Sequence, residues 1–347
     1  MEQEFRAFGG VNPRFCSEFG FQSYPSREVC DTFLPPGEAR LDSPVFNHHQ
    51  KNGGGNERIR KTLDRYFPPP KDFDSLLYLS QVQQSLAIRT GVEMWRSEKP
   101  WCMGTLYWQL NDNWPVSSWS SIEYGGKWKP LHYHARHFFD DVAILPIENP
   151  WNEGMYVLSI VNDTDRDLTD DLVMERWDFD GKAPLVRPNE DQIAPCRRVT
   201  VPAGQVRRFG LWWGNVGFST FRFGKASNYW VSAPYKDCPL APAKIKVEVQ
   251  GDETEGKTFT VRLTTDYPAF FVWANAAGIR GEFDDNSILL LPNAPRTLTF
   301  TAKENTSLAA FRRALMVRHL QESVVGSAAA KGTDEDPGRK ELRERGL

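Results

Sequence analysis

The sequence predicts a multidomain protein in which an α/β part, residues 1–144, precedes an all-β part, residues 145–322. Helical and strand patterns alternate up to about residue 144, whereas nearly every later segment has the short, turn-bounded pattern of a strand. The order strand, helix, strand, helix is typical of parallel strands joined by helices. If these strands and helices belong to a (β/α)₈ barrel, they form about its last quarter. A complete barrel of eight strand–helix units usually needs about 250 residues.

Two strands and four helices are predicted in the α/β part. Residues 75–96 predict a helix most clearly, because apolar side chains recur near helical spacing and Asp74 or Ser75 can cap the first turn. The helix before it must end at Pro68, since three consecutive prolines cannot continue a helix. The strands span residues 14–19 and 103–110, the second of them buried, and the helices span residues 26–33, 57–67, 75–96 and 131–142.

The all-β part contains enough strands for two β-sandwiches, residues 145–240 and 241–322. A proline-rich stretch, residues 234–242, is predicted to link them. Residues 323–347 are small and charged, and a disordered tail is predicted there. The strands are predicted at residues 155–162, 172–179, 206–213, 218–223, 228–233, 244–250, 257–265, 269–275, 287–291, 296–302 and 315–320.

Composition argues against several classes of protein. The 42 Lys and Arg nearly balance the 45 Asp and Glu, and the interleaved charges form no basic patch for a nucleic acid. No apolar stretch approaches the roughly 18 residues of a transmembrane helix, so we expect a soluble protein without a membrane partner. The five cysteines lack the spacing of a disulfide framework or a zinc site and are interpreted as reduced, mostly buried thiols.

Signals for the cellular compartment conflict. Glycosylation sequons at Asn162 and Asn305 point to a secretory route, although such tripeptides often arise by chance. The N-terminus has no apolar core of a signal peptide, which favours the cytoplasm over a lysosomal, vacuolar or secreted location. The sequence predicts no particular oligomeric state.

A carboxylate, Glu18, ends the first predicted strand, and Gly20 follows at once. Barrel enzymes place catalytic acids at such positions, because the C-terminal ends of their strands face the active site. A single Glu at a strand end is more often a solvated or salt-bridged side chain. The residues alone therefore make Glu18 a candidate catalytic acid and leave the structural alternative open.

Aromatic and polar residues cluster at the end of the second predicted strand, where Trp108 precedes Asn111 and Asp112. An indole face stacks on the apolar face of a pyranose, while Asn and Asp side chains hydrogen-bond its hydroxyl groups. This pattern indicates sugar binding. Three later tryptophans are more simply interpreted as packing residues, because clustered aromatic side chains usually belong to a core; these are Trp114, Trp119 and Trp128.

Residues 48–56 combine two adjacent histidines with a glycine run. Adjacent histidines do not share a face of a helix or strand, so no metal site is expected there. The glycine run lacks the Gly-Lys-Ser/Thr ending of a phosphate loop. We predict a long loop near the rim of the site, and neither a metal nor an organic cofactor is expected.

These segments together resemble one family. RFCSEFGFQSYPS (14–26), HHQKN (48–52), YLSQVQQ (78–84), MGTLYWQLNDN (103–113) and WSSIEYGGKWKPLHY (119–133) are similar to the C-terminal region of β-mannosidases of glycoside hydrolase family 2. The resemblance is specific over residues 11–142 and weaker beyond. It implies the C-terminal portion of a (β/α)₈ barrel, strands seven and eight, followed by two immunoglobulin-like β-sandwiches.

The resemblance also implies an activity. Family members are retaining exo-glycosidases that remove terminal non-reducing β-D-mannose from β-mannoside oligosaccharides or glycans. Glu18 would be the nucleophile, and Trp108 would line the subsite of the cleaved sugar, with Asn111 and Asp112 nearby. The family's acid/base, a Glu preceded by Asn after strand four, would lie upstream. We therefore expect a C-terminal fragment, or a truncated gene model, that is inactive alone.

The sequence also contains other Asn-Glu pairs and leaves other functions open. The Asn-Glu pairs that begin at Asn56, Asn152 and Asn189 all follow Glu18 and lack the strand-four context, so none is assigned a catalytic role. The chain could instead be a non-catalytic glycan-binding or interaction module built from the two sandwiches. The chain could also belong to the β-galactosidases, β-glucuronidases or exo-glucosaminidases. The WQLND run and the HHQKN loop resemble those enzymes less than they resemble the β-mannosidases.

Overall fold

The computed structural model describes residues 4–148, 155–181, 196–212, 217–231 and 233–326. The described chain is mostly β-sheet, and its helices are concentrated in the first 140 residues. No helix within these ranges is both long and apolar enough to cross a membrane. The tail predicted at residues 323–347 lies outside the described residues from 327 onward, as do the pairs at Asn152 and Asn189.

In the described residues, the first part contains a short parallel sheet, a 3₁₀ helix at Phe5–Gly10 and five α-helices. Its longest helix begins at Phe73, and Asp72 is its N-cap. The Asp72 side chain accepts a hydrogen bond from the Ser75 amide, so the cap lies two residues before the predicted Asp74. That helix is buried on most sides, which is why its apolar stripe is broad. In order, the elements are β1 (Cys16–Phe19), α1 (Arg27–Cys30), α2 (Pro44–His48), α3 (Gly55–Tyr66), α4 (Phe73–Ser97), β2 (Thr105–Tyr107) and α5 (Pro130–Phe138).

Two predictions for this part were wrong in detail. The strand predicted to be buried at residues 103–110 is shorter and open on one face, and Leu106 is 56% exposed. The reason is that β2 pairs only with β1 among the described residues, and helices cover one face of the pair. The helix predicted over residues 131–142 ends at Phe138, because Asp140 and Asp141 oppose the negative end of a helix.

Among the described residues, seven antiparallel strands lie between α5 and the proline-rich stretch. They are β3 (Val142–Glu148), β4 (Met155–Asn162), β5 (Leu168–Trp177), β6 (Cys196–Val201), β7 (Val206–Trp212), β8 (Phe218–Phe223) and β9 (Ala226–Val231). They form two sheets, in the orders β3-β4-β7 and β6-β5-β8-β9. Ile144 and Leu158 from the first sheet share a buried cluster with Leu172 and Phe221 from the second, so the two sheets face each other.

The C-terminal part also has two antiparallel sheets. Its elements are β10 (Ile245–Gly251), β11 (Gly256–Thr265), β12 (Ala269–Ala276), β13 (Gly281–Phe283), β14 (Ile288–Leu290), β15 (Arg296–Thr306), α6 (Leu308–Ala314) and β16 (Leu315–Arg318). The sheets have the orders β10-β11-β15-β13 and β14-β12-β16. Val261 and Phe300 from the first sheet meet Val272 and Leu290 from the second in one cluster.

One buried cluster draws on all three parts of the chain. Leu63 and Leu79 come from helices α3 and α4, and Phe218 and Phe270 come from β8 and β12. The proline-rich stretch predicted as a linker contributes Tyr235 to the same cluster. It therefore packs between the parts instead of joining them loosely, and burial of this shared surface favours one cooperative structure.

His134 on α5 is buried against the C-terminal part of the chain. Only 6% of it is exposed, and its Nε2 donates to the Ser287 carbonyl oxygen over 3.2 Å. Its Nδ1 has no hydrogen-bond partner among the described residues. Burial, together with the charge of Arg89, lowers the pKa of His134 from 6.5 to about 3. The folded protein therefore holds this imidazole neutral.

We expect His134→Gln to reduce the acid sensitivity of folding. The unfolded chain protonates His134 below about pH 6.5, while the folded chain resists protonation down to about pH 3. The contribution of His134 to the free energy of unfolding is therefore fully present above pH 6.5 and is lost as pH falls towards 3. By about pH 5 the wild type loses about 2 kcal/mol through this residue. Urea unfolding at pH 7.5 and pH 5 measures the loss, with exposed His48→Gln as the control. An equal loss in wild type and His134→Gln would contradict the assignment.

Candidate active site

The first parallel sheet brings the two predicted site segments side by side. In the register of β1 and β2, Cys16 pairs with Thr105 and Phe19 pairs with Tyr107. At the end of the sheet, the Trp108 amide donates to the Phe19 carbonyl oxygen over 2.7 Å. Because the strands are parallel, their C-terminal ends meet at one edge, and both Glu18 and Trp108 lie there.

The two candidate residues are accessible to solvent at the end of the parallel sheet. Phe19 and Tyr107 pack against the buried cluster of α4 and α5. Glu18 and Trp108 do not belong to this cluster, and the register of β1 shifts between Cys16 and Phe19, while Trp108 follows the end of β2. Glu18 is exposed, and Trp108 is 51% exposed. Within the described residues, no hydrogen bond or ion pair engages the Glu18 carboxylate, which leaves it free to meet a ligand.

Gly20 allows the chain to leave β1 beside Trp108. A Cβ at residue 20 would lie 2.5 Å from the Trp108 carbonyl oxygen and 2.9 Å from Cδ1 of Trp119. Real Cβ atoms do not approach other atoms so closely, so only glycine fits without moving the ends of the strands. Steric crowding therefore explains why a glycine follows β1 at position 20.

Asp112 is held by the loop that follows β2. Its carboxylate accepts hydrogen bonds from the hydroxyl groups of Ser118 and Ser120, at 2.8 and 2.6 Å, and from the Gln109 amide at 3.3 Å. Asn111 is exposed, and its amide donates to the Asp112 carbonyl oxygen over 3.4 Å. Asp112 thus fixes the loop, while the Asn111 side chain remains accessible.

The later tryptophans contact other rings or backbone, although Trp128 is only partly buried. Trp114 stacks on His49 with ring centres 5.1 Å apart, and Phe33 stacks on His49 at 3.7 Å. Trp128 meets Tyr133 edge to face at 5.2 Å. The Trp119 ring lies against Gly20, as described above. These contacts hold the loops that follow β1 and β2 in place.

The loop predicted at residues 48–56 is observed between α2 and α3, and side-chain amides hold it. Gln22 donates to the Gln50 side chain over 2.7 Å and to the Ser117 carbonyl oxygen over 2.9 Å. Asn52 donates back to Gln22 over 3.1 Å. His49 Nδ1 lies 2.6 Å from the Pro115 carbonyl oxygen. Across the described ranges, no group of three or more His, Cys, Asp or Glu side chains could hold a metal ion.

Polar residues of α4 position the chain just after Glu18, and sequence analysis missed their role. Ser80 accepts from the Tyr24 amide over 3.0 Å, and Ser23 donates to the Gln84 side chain over 2.9 Å. Gln84 in turn donates to the Phe21 carbonyl oxygen over 2.9 Å. The signal in the sequence was the presence of consecutive Ser and Gln residues inside an otherwise apolar helix.

A buried pair of opposite charges lies behind the same loops. Lys129 is 1% exposed and donates to the Ser23 hydroxyl over 3.2 Å, and Glu123 is 2% exposed and accepts from the Ser26 amide over 2.7 Å. Burial raises the pKa of Glu123, and the charge of Lys129 opposes this rise. Burial lowers the pKa of Lys129, against the charges of Asp112 and Glu123. The pair therefore ties the two segments that follow β1 and β2 together.

Comparison with known proteins gives consistent matches. The family model Ig_mannosidase, an Ig-fold domain, matches residues 240–323. The β-mannosidase of Mus musculus is 30% identical over 344 residues, which cover 89% of this chain and 37% of the mouse protein. β-Mannosidase A of Aspergillus oryzae is 26% identical over 85% of this chain and 36% of its own length. The chain thus spans little more than a third of the curated relatives it matches.

Solved structures resemble this chain as well. The β-D-mannosidase of Dictyoglomus thermophilum superposes with a TM-score of 0.79 and 26% identity, covering 91% of this chain and 38% of that one. The exo-chitosanase of Amycolatopsis orientalis, at a TM-score of 0.63 and 13% identity, covers 86% of this chain and 41% of its own and shares the fold. In sequence and structure, the chain is similar to a part of these β-mannosidases.

Proposed function

We propose that this chain supplies the nucleophile of a retaining β-mannosidase that removes terminal non-reducing β-D-mannose from β-mannoside oligosaccharides or glycans. The observation that carries the proposal is that an exposed carboxylate, Glu18, and a half-exposed indole, Trp108, lie at the same end of two parallel strands. The match to β-mannosidases over 89% of the chain supports the substrate. No metal or organic cofactor takes part in this proposal.

We also propose that β1 and β2 are strands seven and eight of a (β/α)₈ barrel, within residues 1–144. The parallel pairing and an exposed apolar side chain on β2 support this assignment. Leu106, in the middle of β2, is 56% exposed, as a residue that faces a barrel interior would be without the other strands. Residues 145–240 and 241–322 would then be two immunoglobulin-like sandwiches.

The proposed chemistry has two steps. In the first, the Glu18 carboxylate attacks the anomeric carbon while the glycosidic bond breaks, and a second carboxylic acid gives its proton to the leaving oxygen. In the second, that carboxylate takes a proton from water, which attacks the anomeric carbon and releases Glu18 from the ester. The two carboxyl groups must lie about 5–5.5 Å apart. We assign the second group to a segment that precedes residue 1 in the full-length protein.

Trp108 has a separate task in this mechanism. Its half-exposed indole lies at the same end of the sheet as Glu18, where it can stack on the apolar face of the mannose ring. Asn111 is exposed at the same end of β2 and can hydrogen-bond a hydroxyl group of the sugar. Asp112 acts through the loop that it holds, because its carboxylate already accepts from two serine hydroxyls.

Hydrolysis of a chromogenic β-D-mannoside tests the proposal. The purified 347-residue chain is compared with a longer form that adds the coding sequence preceding residue 1. We expect release of the chromophore by the longer form alone, because only that form would carry both carboxyl groups. Activity of the short chain that does not depend on Glu18 would overturn the assignment, and so would a longer form that cleaves β-D-glucosides or β-D-galactosides in preference to mannosides.

A further inference from the structure

A cavity of about 400 Å³ lies away from the candidate active site, between the loop that contains Gly125 and Gly126 and the C-terminal part. Neither Glu18 nor Trp108 lines it. Its volume is within the range of about 300–1,000 Å³ that is typical of small-molecule sites. The loop on one side is a tight turn, in which the Glu123 amide donates to the Lys127 carbonyl oxygen over 2.9 Å. This wall is therefore fixed before any ligand arrives.

Three aromatic rings form a continuous wall of the cavity. Trp128 and Trp273 both line it, and Tyr133 lies between them. The ring centres of Trp128 and Tyr133 are 5.2 Å apart, and those of Tyr133 and Trp273 are 5.6 Å apart, in both cases near edge to face. Both indoles are partly exposed. Such rings offer broad, rigid faces to the C–H groups of a sugar.

A hydrogen-bonded polar chain faces these rings. Glu28 accepts from Lys127 over 2.7 Å and from the Asn275 side chain over 2.8 Å. The chain joins three separate segments, so its groups are preorganised. Lys127 retains further donor hydrogens, and the Asn275 side-chain oxygen is still an acceptor. Neighbouring donors and acceptors of this kind match the hydroxyl groups of a pyranose.

Charge in the cavity is balanced. Three carboxylates and three cationic groups line it, which argues for a neutral ligand and against a phosphate or an acidic sugar; they are Glu28, Glu123, Glu282, Lys127, Arg280 and Lys303. Two of the cations are already paired, Lys127 with Glu28 and Lys303 with Glu282, the latter over 2.9 Å. Aromatic faces, amide and ammonium hydrogen-bonding groups and a neutral field together describe a binding site for an uncharged saccharide.

The cavity is connected by the chain to the candidate active site. Glu28 follows Glu18 by ten residues, and Trp128 follows Trp108 by twenty, so both segments that leave the parallel sheet reach it. We propose that this cavity is a saccharide-binding site that holds a sugar unit of the β-mannoside other than the one cleaved at Glu18. The choice of ligand rests on the proposed function, whereas binding itself requires no catalysis.

Calorimetric titration of the 347-residue chain with a β-1,4-linked mannotetraose tests the proposal. We expect Trp128→Ala to weaken binding about tenfold, because it removes one stacking face. Asn275→Ala keeps the aromatic wall and should weaken binding about fivefold through its lost hydrogen bonds. Asn305→Ala, an exposed residue of the same part that does not line the cavity, is the matched control and should bind as the wild type does.

The outcomes separate this site from the proposed activity. Absence of binding to the wild type, or equal weakening by Asn275→Ala and Asn305→Ala, overturns the saccharide site and leaves the hydrolysis test untouched. If Trp108→Ala abolishes binding while Trp128→Ala and Asn275→Ala have no effect, the sugar occupies the face of Glu18, and the cavity proposal is wrong. If binding depends on Asn275 but the protein has no mannosidase activity, the saccharide site is supported. The ligand would then not be the substrate of a reaction at Glu18.

Discussion

If the proposed function holds, Glu18→Gln is expected to reduce hydrolysis of a β-D-mannoside by the longer form at least about a thousandfold. Gln keeps the shape of the side chain but is uncharged and cannot form the ester with the anomeric carbon. The effect should fall on kcat, because the sugar still stacks on Trp108 and KM changes little. Folding should also change little, since the Glu18 carboxylate is exposed and makes no hydrogen bond or ion pair among the described residues.

Glu57→Gln is the matched control. Glu57 also follows an Asn, but it lies in the first turn of α3 and is exposed, and its carboxylate pairs with Lys61 over 2.9 Å. We expect wild-type activity from this variant. A fluorinated mannosyl substrate that reacts slowly offers an independent readout, because the covalent intermediate accumulates. Mass spectrometry should find the added sugar on Glu18 in the wild type and nowhere in Glu18→Gln. An adduct on another carboxylate would show that the nucleophile is misassigned.

The sequence predicted elements well where the pattern of side chains follows one period. Residues 155–162 and 218–223 were predicted as strands, and β4 and β8 have these bounds. β3 was missed because its residues form a continuous apolar run that contains Pro146. The structure resolves the conflict, since β3 lies at the edge of its sheet, where a proline that cannot donate a hydrogen bond is tolerated.

The candidate site was predictable to the extent that it depends on strand ends. Glu18 and Trp108 could be assigned to one edge because parallel strands end together, and β1 and β2 are parallel. The engagement of Asp112 by Ser118 and Ser120 could not be predicted, because an irregular loop has no period that brings these residues together. The same holds for Gln84, whose hydrogen bonds to the segment after Glu18 depend on how α4 packs.

Phe270→Ala is expected to destabilise the whole described structure by about 3–5 kcal/mol. The Phe270 side chain is fully buried, and its ring centre lies 5.2 Å from that of Phe218 and 5.5 Å from that of Tyr235. Truncation therefore leaves a cavity in the cluster shared by the helices and both β parts. Phe139→Ala, at a ring that is 43% exposed, is the control and should cost less than about 1 kcal/mol.

The shape of the unfolding curve carries the second half of this prediction. If the shared cluster couples the three parts, far-ultraviolet circular dichroism and tryptophan fluorescence should follow one transition in urea, in the wild type and in Phe270→Ala alike. The parallel sheet with Glu18 would then depend for its stability on a residue in the C-terminal part, since α4 packs between them. Two separate transitions, with only the later one shifted by Phe270→Ala, would show that the helices and the β parts fold independently. Glu18 would in that case rest on a unit whose open sheet face receives no support from the shared cluster.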